Sequence, residues 1–168
     1  MGERTILVKT AYSVPLLLWL ALIFGLSSQS YTEQSVQPFL TSHVSSVKLS
    51  ARIPDWTIRY RNSVIPAKKE PLRFLEFIFR KCAHMFMYGM LAIWCYVALK
   101  PLSLNRAVTF AVVLLFAAMV AMTDEWNQTR AVQRTGAIQD VGIDMMGAAM
   151  GLAAVSLILV IQKKKQSR

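Results

Sequence analysis

The chain has 168 residues, 55% of them hydrophobic and 17% charged, with a formal net charge of +10 and a mean hydropathy of +0.41. Its apolar residues are bunched into runs near the ~20 residues that cross a bilayer core, which excludes an ordinary soluble domain. The cations stand at the ends of these runs rather than among aromatics on a polar face. Membrane lipids with anionic head groups, not nucleic acid, are therefore the partner that the charge points to.

Spans are expected at 6–26, 82–99, 107–122 and 141–161. The expected fold is all-α: a four-helix transmembrane bundle, residues 1–168 forming a single domain, with a long extracytoplasmic loop at 29–71 between the first two spans.

The first run is interrupted only by Lys9, whose stem can snorkel to the surface. Its positive start and its small-residue end at Ser27 and Ser28 also resemble a signal peptide, but the run is long for one and the span count favours its retention. Residues 29–71 are polar and carry Pro38, Pro54 and Pro66. They read as an extramembrane loop with little internal pattern, apart from a patch from Trp56 to Tyr60 that suits a short strand or an interfacial contact. Residues 72–79 suit an interfacial helix, with Arg80 and Lys81 marking the membrane boundary.

The second span ends at Lys100-Pro101, where proline stops the helix. Cys82 and Cys95 both fall on it, so they cannot bridge each other, and no C-x-x-C metal spacing occurs. The third span is almost featureless until it reaches Asp124, Glu125 and Gln128, and the fourth opens on Asp140 and Asp144. Asp124 and Gln128 are i,i+4, as are Asp140 and Asp144, and Gly147 and Gly151 extend the second stripe. A neighbouring helix can approach those glycines closely while the carboxylates line what lies above.

Ionisable side chains at or inside a span are expensive and mark function by default. With four spans, the end of the first, the start of the second, the end of the third and the start of the fourth share one membrane face. That face gathers Gln29, then Lys81, His84 and Tyr88, then Asp124, Glu125 and Gln128, then Arg134, Asp140 and Asp144. The other face carries Arg4, Lys9, Lys100, Arg106, the lysines 163–165 and Arg168 in short segments. By the positive-inside rule it is cytoplasmic, as are both termini, and the polar cluster faces outward.

Three readings of the cluster stay open. As a structural network, Lys81 and Arg134 neutralise two carboxylates and the rest remain solvated. As a catalytic site, Asp124, Glu125, Asp140 and Asp144 supply an acid and a base with His84 as proton carrier, while Lys81, Arg134, Gln128, Tyr88 and Gln29 bind substrate. As a transporter, it would need polar residues at the opposite end, and the third span offers none. One histidine with several carboxylates could hold a hard divalent cation, but no paired-histidine spacing accompanies it. No metal ligand is assigned and the cofactor stays open.

Four separated motifs carry a family resemblance: L-S-S-Q at Leu26 to Gln29, K-x-x-H-x-x-x-Y at Lys81, His84 and Tyr88, D-E-x-x-Q at Asp124, Glu125 and Gln128, and R-x5-D-x3-D-x-x-G at Arg134, Asp140, Asp144 and Gly147. In this order they resemble the VanZ-like family, departing from it at Arg130, where relatives usually have phenylalanine. The resemblance implies a small multi-pass bacterial membrane protein whose founding member is linked to low-level resistance to the lipoglycopeptide teicoplanin. It implies no established reaction. A lipid-linked cell-wall precursor or the lipoglycopeptide itself is the partner expected in the cell envelope; no oligomeric state is indicated.

Overall fold

The computed structural model describes residues 2–60, 63–130 and 138–166. It is mostly helical. Three helical stretches are each long and apolar enough to cross a membrane, Pro71–Leu102, Arg106–Gln128 and Ile138–Gln166; the number is four if Ala11–Ser27 and Thr32–His43 together count as one broken span. Contacts divide the chain into two compact units, Met1–Ser28 with His84–Arg168, and Gln29–Ala83.

In the first unit, α1 (Gly2–Ser27), α5 (Pro71–Leu99) from His84 onward, α6 (Arg106–Arg130) and α7 (Ile138–Gln166) pack on one another. Pro71 begins α5, where a missing N–H costs nothing and the fixed φ suits a helix. Asn105 Oδ1 accepts the Val108 N–H at 2.9 Å and so caps α6. Asp140 in the first turn of α7 and Lys163, Lys164 and Lys165 in its last turn complement the helix dipole.

Tyr88, Leu91, Val113, Ala117, Ala148 and Leu152 lie at the centre of the core that these helices share. Trp19 of α1 donates Nε1–H to the Met87 carbonyl of α5 at 2.8 Å and meets Phe86 edge-on. Large apolar side chains such as Leu17, Leu18, Leu115 and Leu157 point outward, more than half exposed. Water would not tolerate so continuous an apolar exterior, and lipid does.

The glycine stripe of α7 has its partner in α5. A Cβ on Gly147 would overlap the Met85 carbonyl and lie 2.7 Å from Met85 Cα, and one on Gly151 would overlap the Gly89 carbonyl. Only glycine lets the two backbones touch there.

The second unit is more structured than the loop with little internal pattern expected at 29–71. It contains α2 (Tyr31–Gln34), α3 (Gln37–His43), α4 (Ser46–Arg52) and an antiparallel hairpin of β1 (Thr57–Tyr60) and β2 (Ser63–Pro66), in register Thr57↔Pro66. The expected strand at Trp56 to Tyr60 is β1. Ser30 and Glu33 form a reciprocal capping box on α2, and Ser45 caps α4. Buried Glu76 accepts from Ser35 Oγ at 2.8 Å, the Val36 N–H at 3.2 Å and Gln37 Nε2 at 2.8 Å, which fixes the start of α3. The separate interfacial helix expected at 72–79 is instead the first part of α5. Arg80 and Lys81 do not interrupt it, because both are good helix formers and no proline or glycine falls between Pro71 and Gly89.

Candidate functional site

Three helices of the first unit each deliver one polar residue to a common point. His84 lies on α5, Asp124 on α6 and Asp144 on α7, and one potential ligand atom from each lies within 4.8 Å of the others. Asp144 is wholly buried and Asp124 nearly so, while His84 is partly covered. His84 Nδ1 and Asp144 Oδ1 are 3.1 Å apart, a hydrogen bond across 60 positions of chain. Gln128, one turn beyond Asp124, donates Nε2–H to Asp124 Oδ2 at 3.0 Å and orients that carboxylate.

The i,i+4 pairing of Asp124 and Gln128 is therefore realised on one buried face of α6. Asp140 stands one turn before Asp144 at partial exposure, near enough that its charge bears on His84 and Asp144. Glu125 is also buried. Tyr88, one turn beyond His84, is 1% exposed; its hydroxyl has no hydrogen-bond partner among the described residues, and Asp124, Asp144 and Glu125 are the charges that bear on it.

Asp144 Oδ2 is likewise buried without a hydrogen-bond partner among the described residues. Buried acceptors are normally satisfied, and carboxylates held away from water need a positive partner, a proton or an ion. The site can therefore share a proton between imidazole and carboxylate, accept hydrogen bonds from a polar guest, or hold a cation.

Lys81 and Gln29 belong to the second unit. There the Lys81 ammonium lies 4.3 Å from the Tyr60 ring centre and 5.3 Å from that of Phe77, and Gln29 Oε1 accepts from Gln34 Nε2 at 3.4 Å. Arg134 lies outside the described residues.

Sequence reasoning missed Asn127. Its amide donates to Ser28 Oγ at 3.2 Å and to Ser27 Oγ at 3.4 Å, tying the end of α1 to α6 beside the cluster. Phe24, Ser28, Thr123, Trp126 and Asn127 line an open groove of about 310 Å³ there. The available signal was a polar residue beside the acidic motif and a serine pair ending an apolar run. Each needed a partner that only folding supplied.

A family model described as VanZ/LLP1 matches residues 12–159. No curated protein and no solved structure matches the chain significantly.

Proposed function

The chain belongs to the VanZ/LLP1 family, and from that premise we propose that it is a multi-pass protein of the bacterial cell membrane that binds or acts on the polar head of a lipid-linked or glycan envelope component and alters the response to lipoglycopeptides such as teicoplanin. One observation carries this reading: His84, Asp124 and Asp144 converge from three helices beside a largely apolar core. Such a constellation is costly to place in a membrane protein and suits a guest with hydroxyl or phosphate groups.

In this reading residues 1–168 act as one functional domain with four spans, both termini cytoplasmic and the cluster toward the outer face. The His84–Asp144 pair handles the proton, Asp124 is oriented by Gln128, and Glu125 and Asp140 tune the local field. Lys81 and Arg134 supply cations for an anionic head group, with Tyr88 and Gln29 as further polar contacts.

A non-catalytic reading has its own support. Asp144 precedes Gly147 by less than one turn, and Gly147 is in backbone contact with Met85, the neighbour of His84. The polar pair then serves to set that helix crossing. Teicoplanin susceptibility and membrane abundance of Asp144→Asn, Asp124→Asn and His84→Gln, in a host lacking its own copy, separate the two. Lost protection at normal abundance supports the working site, lost abundance supports the packing role, and protection surviving all three changes overturns the proposal.

A further inference from the structure

We propose that His84, Asp124 and Asp144 form a binding site for one divalent transition-metal ion of the zinc class. The ligand atoms already stand at coordination spacing. Bonds of about 2.1 Å in a tetrahedral site place neighbouring ligand atoms about 3.4 Å apart; His84 Nδ1 and Asp144 Oδ1 are 3.1 Å apart, and all three ligand atoms fit within 4.8 Å.

A second observation points to a guest at the same place. Asp144 Oδ2 and the Tyr88 hydroxyl are both buried, and neither has a hydrogen-bond partner among the described residues. Buried polar atoms are normally satisfied, so two without partners call for a guest. An ion held by one oxygen of each carboxylate, with a water in its fourth position, offers both atoms a partner, since that water can donate to Asp144 Oδ2 and accept from the Tyr88 hydroxyl.

The donor set selects the ion. One neutral imidazole and two carboxylates sum to the charge that a divalent cation cancels, so the filled site is neutral within the core. Imidazole favours zinc-like ions over magnesium or calcium. Three protein ligands with one position left open is the arrangement of zinc sites that bind water or substrate. The ligands come from different helices, at positions 84, 124 and 144, so binding would also clamp α5, α6 and α7 together.

The inference concerns the same site as the envelope reading, but its test is independent of that reading, because metal loading is measured without any substrate. The full chain, purified in detergent without a polyhistidine tag and stripped with chelator, is titrated with Zn²⁺ alone, and bound metal is measured by elemental analysis after desalting. Retention of about one zinc per chain is expected, with affinity weakened at least about tenfold in Asp144→Asn, in Asp124→Asn and in His84→Gln. His43→Gln, which alters the one other histidine in the chain, should bind as the parent does.

Co²⁺ loading of the unaltered chain gives a test independent of variant folding, since a four-coordinate nitrogen–oxygen site produces visible absorption that equimolar Zn²⁺ abolishes. Failure of the unaltered chain to retain zinc, or absence of a zinc-sensitive cobalt band, overturns the proposal and leaves buried water as the occupant. Equal retention by the Asp124→Asn/Asp144→Asn double variant, or loss in His43→Gln, overturns it as well.

Discussion

Gly147 of α7 lies in backbone contact with Met85 of α5, one residue from His84. This close helix approach thus adjoins the polar cluster, and the two constrain each other. A side chain at Gly147 must push α7 off α5 and draw Asp144 away from His84. Gly147→Ala should lower thermal stability in detergent by about 1–3 kcal/mol, the usual cost of overpacking, and reduce membrane abundance. Gly142→Ala, where an added methyl meets nothing within 4 Å, should be neutral or raise stability by up to about 1 kcal/mol through helix propensity. Equal effects at both positions would show that the close crossing is not what glycine serves.

His84 and Asp144 should be strongly non-additive. His84→Ala leaves the buried Asp144 carboxylate without the one hydrogen-bond partner it has among the described residues, a loss of about 1–3 kcal/mol. Removing both polar groups in His84→Leu/Asp144→Leu should recover part of that loss, because no buried charge is left behind. Melting curves of His84→Leu, Asp144→Leu and the double variant in detergent measure the coupling. Additive losses would mean that the two side chains do not depend on each other.

Much of this site was legible because charge in an apolar run is rare. His84, Asp124, Gln128 and Asp144 stood out on cost alone, and the i,i+4 arithmetic put Asp124 and Gln128 on one face, where they are hydrogen-bonded. The small stripe at Gly147 and Gly151 was equally visible, but its partner was not: Met85 and Gly89 carry no mark in the sequence. Three-helix convergence at positions 84, 124 and 144 has no spacing signature, so which three polar residues of that face meet could not be read from the chain. The second unit hid for a different reason. Helices of four to seven residues are too short to develop an apolar period, and only their caps betray them. Lys81 falls on the same helix face as His84 and Tyr88 by position alone. The hairpin that brings Tyr60 beneath it is a tertiary fact.

Glu76 should prove structural. Its carboxylate is the acceptor for Ser35, Val36 and Gln37 at the start of α3. Glu76→Ala strands those donors and should loosen the segment by about 1–3 kcal/mol. Tryptic cleavage at exposed Lys48 and Arg52 should then accelerate about tenfold or more, since local opening sets the rate. Glu76→Gln, which keeps one acceptor oxygen, should fall between. Unchanged cleavage in Glu76→Ala would remove the carboxylate from any role in holding α3.

Lys81 discriminates between a binding cation and an aromatic staple. Its ammonium lies over Tyr60 and near Phe77, which meet edge-on with centroids 5.2 Å apart. Such a contact contributes about 0.5–1 kcal/mol at a partly exposed site. Lys81→Met keeps the apolar stem against the rings and loses only the charge, so as a staple it should cost no more than that and leave teicoplanin protection intact. Lys81→Arg should preserve the stack and the charge together. If Lys81 also binds an anionic head group, Lys81→Met should abolish protection at normal abundance while Lys81→Arg retains it, because a guanidinium still pairs with phosphate. The two substitutions, compared for abundance and susceptibility in the same host, decide whether this cation serves the fold alone or the guest as well.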